Sequence, residues 1–178
     1  MDRSPFHCAR RGFTVTELLV VMAVIALLAA LLFPVLKSAG AKAKSAQCLG
    51  NLRSLGTALN VYLGEHDMKM PELAAGRESK AEEKPVIDTV LLPYVKDARV
   101  FACPADRSVA ADTGTSYFYN SALAGQPMAS LNLLGLTEAH SRIPVLLDKE
   151  GWHKGGEHAT NHLFADGHAG NEWKLIAE

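Results

Sequence analysis

The hydrophobic positions divide the chain into one long apolar run, an amphipathic stretch and a series of short apolar segments. The first run covers residues 13–36 and contains one charged side chain, Glu17. As a helix it would be about 36 Å long. The hydrocarbon core of a bilayer is about 30 Å thick, so the sequence predicts one membrane-spanning helix near the N-terminus.

From residue 37 onward the chain becomes amphipathic with the spacing of a helix. Positions that recur at intervals of three and four residues share one helical face. Here these positions are Ser45, Cys48, Leu52, Leu55, Leu59 and Tyr62. The pattern therefore predicts one helix over residues 13–63, whose second half packs on a small globular domain through this stripe.

The last third of the chain alternates short apolar runs with turns. The runs of strand length are 116–120, 143–147, 162–165 and 169–175. Asp166-Gly167 lies between the last two and is a strong signal for a two-residue hairpin. We therefore predict an α+β fold, with a long N-terminal helix packed on a small antiparallel sheet.

Composition restricts the functions that this fold can have. The 178 residues include 18 Lys and Arg against 19 Asp and Glu, a net charge of −1, and 48% are hydrophobic. This balance favours a folded chain and argues against an electrostatic nucleic-acid partner. Three cysteines are too few for a disulfide-dense scaffold or a four-cysteine zinc site. Because no catalytic constellation stands out, we predict that the chain is not an enzyme.

The junction ahead of the apolar run carries the most specific motif. Residues 10–18 read Arg-Arg-Gly-Phe-Thr-Val-Thr-Glu-Leu. This closely resembles the type IV prepilin signature, in which a short basic leader and a Gly precede a Phe and an apolar helix with an early Glu. The resemblance implies that residues 1–12 are a leader. It also implies that a prepilin peptidase cleaves between Gly12 and Phe13, and that Phe13 is then N-methylated.

Two residues of the apolar helix acquire roles from the same resemblance. A carboxylate costs about 2.5–3.5 kcal/mol at mid-bilayer, so Glu17 needs a partner or a function. The family implies that Glu17 pairs with the amine of Phe13 on a neighbouring subunit and registers it during assembly. Pro34 lacks a backbone donor, so we expect a kink or a melted stretch there, or the end of the membrane helix.

The apolar run has two other interpretations, an ordinary secretory signal cleaved near residues 39–41 and an uncleaved signal anchor. The basic residues before the run, Arg3, Arg10 and Arg11, favour a cytoplasmic N-terminus. We therefore expect a single pass through the inner membrane. Residues 13–36 would form the membrane and assembly helix, and residues 37–178 a periplasmic or otherwise extracytoplasmic domain.

Three later segments resemble the prepilin-type processing-associated group of pseudopilin-like proteins: Gln-Cys-Leu-Gly-Asn-Leu-Arg at 47–53, Cys-Pro-Ala-Asp at 103–106, and Asn-His-Leu-Phe-Ala-Asp-Gly-His at 161–168. That group has a His-x9-Asp-Gly tail. Here His153 precedes Asp166 by 13 positions and His158 precedes it by 8, where 10 is usual. The roles of both histidines therefore stay open.

Two further candidate sites involve cysteines and carboxylates, a disulfide and a calcium site. Removal of the leader would discard Cys8, and the remaining pair, Cys48 and Cys103, would form either a disulfide in a translocated domain or two separate thiols. Pseudopilins of type II secretion commonly hold calcium near the C-terminal sheet. The carboxylates that could supply oxygen ligands are Asp148, Glu150 and Asp166. No loop matches a known calcium ligand spacing, and we predict no other metal or cofactor.

Together these features predict a pseudopilin, a structural subunit of a type II secretion system or a type IV pilus-like filament. The partners that the resemblance implies are other pseudopilin subunits, a prepilin peptidase and methyltransferase, and an inner-membrane assembly platform, with no nucleic acid. The alternative is a membrane-anchored or secreted binding domain that never polymerises.

Overall fold

The computed structural model describes residues 13–153 and 159–173, which fall into two compact units, Met1–Ser38 and Ala39–Glu178. Helix α1 spans Val15–Glu65. The sequence predicted a helix of the same length over residues 13–63, so the prediction is confirmed with each end displaced by two residues.

Helix α1 begins with a reciprocal cap. The Thr14 N–H donates to Glu17 Oε2 at 2.8 Å, and the Glu17 N–H donates to Thr14 Oγ1 at 3.2 Å. Two amide donors that have no partner within the helix are thereby satisfied, as in a capping box. Glu17 therefore has a structural role within its own chain at the start of α1.

The helix does not melt or end at Pro34, so these two expectations were wrong, while the expected kink stays a prediction. Pro34 lies inside α1, and helical structure continues on both sides of it. A proline removes a single donor from the helical ladder. The remaining hydrogen bonds of this long helix keep the backbone helical at that position.

The described part of the first unit has an entirely exposed apolar surface. Every residue from Phe13 to Ser38 is solvent-exposed, and none of the most apolar 18-residue stretch of α1 is buried. Among the described residues, α1 is the one helix that is long and apolar enough to cross a membrane. The described part of the chain provides no core that covers these side chains.

The second unit has its core between α1 and a sheet. The predicted helical stripe is confirmed, with Ser45 and Tyr62 half-buried at its two ends. The buried residues that α1 contributes are Cys48, Leu52, Leu55, Gly56, Ala58, Leu59 and Leu63. Tyr117, Leu146 and Leu163 belong to the same core from the side of the sheet.

Among the described residues, the sheet has four antiparallel strands in sequential order. They are β1 (Tyr117–Tyr119), β2 (Pro144–Asp148), β3 (His162–Phe164) and β4 (Ala169–Gly170). Each strand lies within, or overlaps, one of the four predicted runs. In the register, Tyr117 pairs with Asp148, the last residue of β2, and a β-bulge lies between Pro144 and Leu146.

The β3–β4 hairpin was predicted correctly in place but not in loop length. The Phe164 N–H donates to the His168 carbonyl at 2.9 Å, which closes a three-residue loop rather than a two-residue one. Gly167 has a φ of 90°. A glycine at this position provides the left-handed conformation that three-residue hairpin loops require.

Short helical elements lie between α1 and β1 and between β1 and β2. Helix α2 is Ile87–Val90 and helix α3 is Val109–Thr113. The 3₁₀ turns are Leu92–Tyr94, Ala98–Phe101, Ser121–Leu123, Met128–Ser130 and His140–Arg142. Because each of these elements and strands is only two to five residues long, side-chain contacts between segments must supply much of the unit's cohesion.

Candidate functional site

The N-terminal site consists of Phe13 and Glu17 at the exposed start of α1. Phe13 is 77% exposed. The Thr14 hydroxyl and the Thr14 N–H both donate to Glu17 Oε2, each at 2.8 Å. The positive end of the helix dipole also favours a carboxylate there. Gly12 lies outside the described residues.

A second site lies inside the unit that carries the sheet, where four polar side chains meet. They are Cys48, Cys103, Asp148 and His153, with exposed fractions of 0%, 2%, 3% and 6%. One sulfur, nitrogen or oxygen atom from each residue lies within 4.8 Å of the corresponding atom of every other. We call this group the Cys–Asp–His cluster.

Four different segments supply the cluster. Cys48 belongs to the buried stripe of α1, and Asp148 ends β2. Cys103 follows the 3₁₀ turn Ala98–Phe101, and its N–H donates to Ser116 Oγ at 2.8 Å. His153 follows β2, and its N–H donates to the Ala159 carbonyl at 3.2 Å. Backbone hydrogen bonds therefore fix the two members that lie outside regular elements.

Asp148 makes contacts on both sides of its carboxylate. Cys48 Sγ donates to Oδ1 at 3.3 Å, and His153 Nε2 lies 3.3 Å from Oδ2. The Asn161 N–H donates to Oδ2 at 2.8 Å. None of these neighbours is a lysine or arginine, so no permanent cation among them balances this buried carboxylate.

The sulfur atoms are in contact with the remaining polar groups. Cys103 Sγ lies 3.4 Å from His153 Nε2, and the Ala105 N–H donates to the same sulfur at 3.5 Å. The Tyr117 hydroxyl lies 3.4 Å from Cys48 Sγ. Both thiols therefore face inward, toward the centre of the cluster, and neither is exposed on the surface.

Burial sets the protonation states of the cluster. It raises the pKa of Asp148 to about 6 and lowers the pKa of His153. The neighbouring Cys103 thiol and burial raise the pKa of Cys48. Desolvation disfavours the charged form of each of these groups. At neutral pH, His153 is therefore a neutral imidazole and Cys48 a protonated thiol.

Cys48 and Cys103 meet in this structure with their sulfurs unbonded, and the choice between a disulfide and two thiols stays a prediction. Cys48 and Cys103 are free thiols in a shared cluster with Asp148 and His153. In the reduced state, both sulfurs can act as metal ligands or hydrogen-bonding partners. Oxidation to a disulfide would prevent metal binding by these two atoms.

The proposed calcium ligands are not brought together. Asp148 lies among sulfur and nitrogen atoms, and Glu150 is exposed. Asp166 instead accepts a hydrogen bond from His168 Nδ1 at 2.6 Å. Over residues 13–153 and 159–173 these three carboxylates form no common group of ligands. His158 lies outside the described residues.

Sequence reasoning identified each member of the cluster separately and missed the combination. The signal that could have joined them is weak, because the four ligands are 55, 45 and 5 positions apart along the chain. His153 was noted only for its displaced spacing to Asp166.

Comparison with protein families matches residues 8–33 to the prokaryotic N-terminal methylation motif. No curated protein and no solved structure matches the chain. The family match ends before the C-terminal tail, whose resemblance to the processing-associated group stays a prediction. Together with the exposed apolar helix, the motif indicates a membrane-anchored protein. The chain therefore has a prepilin-like N-terminal segment on an α+β pilin-like fold, as fits a type IV pilin-like or pseudopilin subunit.

Proposed function

We propose that the chain is a pseudopilin, a structural subunit that polymerises in a type II secretion system or a type IV pilus-like filament. The observation that carries this proposal is the methylation motif at residues 8–33, which runs directly into the exposed apolar part of α1. Such a helix needs a bilayer before assembly. In a filament, contacts between the helices of neighbouring subunits would replace the lipid.

Processing prepares the end of this helix for assembly. Cleavage between Gly12 and Phe13 turns the backbone nitrogen of Phe13 into a charged amine, which is then N-methylated. Glu17 of a neighbouring subunit provides the opposite charge, and an ion pair in a low-dielectric setting is much stronger than in water. The Thr14 cap holds the Glu17 carboxylate at the end of α1 where an incoming subunit can reach it.

The same proposal assigns the chain its topology and partners. Its N-terminus is cytoplasmic, residues 13–36 span the inner membrane, and residues 37–178 are extracytoplasmic. Its partners are other pseudopilin subunits, a prepilin peptidase and methyltransferase, and an inner-membrane assembly platform. The role of the chain is mechanical: a growing filament displaces cargo, and the chain itself catalyses no reaction.

The first experiment is the intact mass and N-terminal peptide of the protein purified from membranes that contain a prepilin peptidase. We expect a chain that begins at methylated Phe13. Gly12→Val should remain uncut, and Gly40→Val, a glycine inside α1 with open space around it, should be processed normally. A chain that begins near Lys42 would instead indicate an ordinary signal peptide and support the non-polymerising binding domain.

The second experiment separates the two roles of Glu17. A glutamine retains the capping box but lacks the charge. Glu17→Gln should therefore fold and insert normally, and its fraction in sedimentable filaments should fall at least tenfold. Thr14→Ala removes the capping hydroxyl but keeps the carboxylate and the backbone N–H of residue 14 that donates to it, so this variant should still assemble. Equal assembly of Glu17→Gln and wild type, measured by sedimentation of sheared cells, would contradict the pairing of Glu17 with Phe13. A wild-type chain that never sediments in filaments would contradict the polymerisation proposal.

A further inference from the structure

We propose that Cys48, Cys103, Asp148 and His153 bind one Zn²⁺ ion and form a structural metal site in the unit that carries the sheet. The site does not depend on polymerisation, because all four ligands lie in the second unit and none belongs to the methylation motif. Its test can therefore fail or succeed independently of the proposed function.

The ligand types select the metal. Two sulfurs, one imidazole nitrogen and one carboxylate oxygen are all ordinary zinc ligands. Calcium and magnesium prefer oxygen ligands, which this cluster offers at one residue only. Thiolates with an imidazole favour zinc among the common divalent ions of cells, and zinc sites of this composition are four-coordinate.

The separations between ligand atoms fit a tetrahedral ion. Zinc lies about 2.3 Å from sulfur and about 2.0–2.2 Å from nitrogen or oxygen, which places neighbouring ligand atoms about 3.4–3.8 Å apart. Cys48 Sγ lies 3.3 Å from Asp148 Oδ1, and Cys103 Sγ lies 3.4 Å from His153 Nε2. His153 Nε2 lies 3.3 Å from Asp148 Oδ2. The two Asp148 distances involve different carboxylate oxygens, and the four ligand atoms as a set lie within 4.8 Å of one another, so closing the cluster on an ion requires shifts of up to about one ångström.

Charge provides an independent argument. Asp148 is buried and its neighbours within the described chain, Cys48, His153 and Asn161, contribute no permanent positive charge. A buried carboxylate without a cation is costly. Zinc would place a cation in direct contact with that carboxylate, although the ion with two thiolates and one carboxylate would keep the net charge of −1 that the metal-free cluster has when Asp148 is ionised. Binding would release the thiol protons of Cys48 and Cys103 to solvent, and the metal would gain two thiolate ligands.

The groups around the cluster hold the ligands in orientation. The Asn161 N–H donates to Asp148 Oδ2, and the Ala105 N–H donates to Cys103 Sγ. The Tyr117 hydroxyl contacts Cys48 Sγ. Outer hydrogen bonds of this kind orient ligands and support metal affinity. Because four protein ligands leave no open position, the site would be structural and would not activate water.

The experiment uses the full chain in detergent, reduced, treated with EDTA and then titrated with ZnCl₂. We expect one zinc per chain by elemental analysis and a rise of several degrees in the melting temperature of the globular unit. With CoCl₂ in place of zinc, we expect thiolate-to-cobalt charge-transfer absorption and the intense visible bands of tetrahedral cobalt. This spectrum tests the site in the wild-type chain, without relying on any variant that fails to fold.

Variants identify the ligands. Cys48→Ser and Cys103→Ser should each weaken zinc binding at least tenfold and reduce the charge-transfer band by about half. Asp148→Asn and His153→Asn should weaken binding while the thiolate band remains. The chain offers a matched control in its second Asp–His pair, Asp166 and His168, which lies on the hairpin loop. Asp166→Asn and His168→Asn should bind zinc as the wild type does.

Two results would overturn the proposal. The first is a Cys48–Cys103 disulfide in the protein isolated from its membrane, detected as a mass lower by two hydrogens, because oxidised sulfurs cannot serve as thiolate ligands. The second is zinc uptake by the reduced chain that is absent, or that is unchanged in both cysteine variants. Either result would show that the Cys–Asp–His cluster is a buried polar group that binds no metal.

Discussion

Cys48 Sγ donates a hydrogen bond to a carboxylate oxygen of Asp148 across 3.3 Å, although the two residues are 100 positions apart. Cys48 lies in α1, and Asp148 is the last residue of β2. The contact therefore links the helix with the sheet through two buried polar groups. The stability contributed by such groups depends on pH and on neighbouring charge, unlike that of the apolar core around them.

In metal-free, reduced protein, Asp148 should make stability decrease as pH rises. Burial raises the pKa of Asp148 from an ordinary value of 3.8 to about 6. Between these values the unfolded chain loses the proton and the folded chain keeps it, so folding becomes less favourable by about 3 kcal/mol in total. Asp148→Asn should remove this pH dependence. The measurement is the difference in unfolding free energy between variant and wild type from pH 4 to pH 7, in EDTA. A constant difference would contradict the prediction.

Asp106 should stabilise the segment that leads into β1. Its carboxylate accepts hydrogen bonds from the Ser108, Val109 and Ala110 N–H groups and from Ser116 Oγ. Burial opposes ionisation, but these hydrogen bonds outweigh it and lower the pKa of Asp106 below 3.8. Asp106→Ala should therefore reduce the free energy of unfolding by about 2 kcal/mol at pH 7.

The effect of Asp106→Ala should disappear in acid. A carboxylate with a lowered pKa stabilises the fold above its ordinary pKa and loses that contribution as pH falls through the folded value. The variant and the wild type should therefore begin to converge as pH falls below about 4 and should come closest below the lowered pKa of folded Asp106. Asp112→Ala is the matched control, because Asp112 is an exposed residue of α3, and its effect should stay within about 0.5 kcal/mol. Chemical denaturation of the three proteins at two pH values tests both statements.

Gly56 should be required for the packing of β3 on α1. A Cβ atom at this position would lie 2.9 Å from Leu163 Cδ1, and Leu163 is fully buried. Gly56→Leu should therefore destabilise the second unit by about 1–3 kcal/mol. Gly50→Leu is the control, since a Cβ there meets nothing within 4 Å. Better helix propensity should make that change stabilising, by up to about 1 kcal/mol. If thermal unfolding shows the same sign for both variants, the packing argument is wrong.

Replacement of only one member of the Arg77–Asp88 ion pair should lower the free energy of unfolding strongly. The two side chains are 9% and 11% exposed, and Arg77 Nε also donates to the Thr113 carbonyl. Arg77→Leu leaves a buried carboxylate without its cation and should destabilise the fold by about 3 kcal/mol.

Replacement of both members of this pair should recover most of that loss. In the double variant Arg77→Leu with Asp88→Leu, no unpaired charge remains buried. The exposed pair of Arg99 and Asp97 provides the control, because Arg99→Leu should have little effect. Denaturant titration of the single, double and control variants measures the free energy of unfolding of each. An equal decrease in the single and double variants would contradict the prediction.

Local patterns in the sequence predicted most of the fold. The three- and four-residue spacing from Ser45 to Tyr62 identified the buried face of α1, because helical periodicity is a local property. The alternation with turns identified all four strands for the same reason. The predicted length of the hairpin loop was too short by one residue, since Asp-Gly indicates a turn but does not determine which flanking residues pair. The continuity of α1 at Pro34 depends on the surrounding turns of the helix and not on the proline alone.

The Cys–Asp–His cluster could not be predicted in the same way. Its members come from a helix, a turn, a strand end and a loop, so their proximity follows from tertiary packing. The two cysteines were considered together because they are the pair that remains after the leader is removed. Asp148 was considered as a calcium ligand with other carboxylates. His153 contributes through its position after β2, and its spacing to Asp166 carried no information about Cys103.

The separation of the cluster along the chain has a consequence for biosynthesis. Cys48 is made early and His153 more than 100 residues later, so the cluster cannot close until synthesis has passed residue 153. A chain that stops between residues 104 and 147 contains the whole of α1 but leaves Cys48 and Cys103 without Asp148 and His153. A complete cluster therefore requires a subunit synthesised through residue 153.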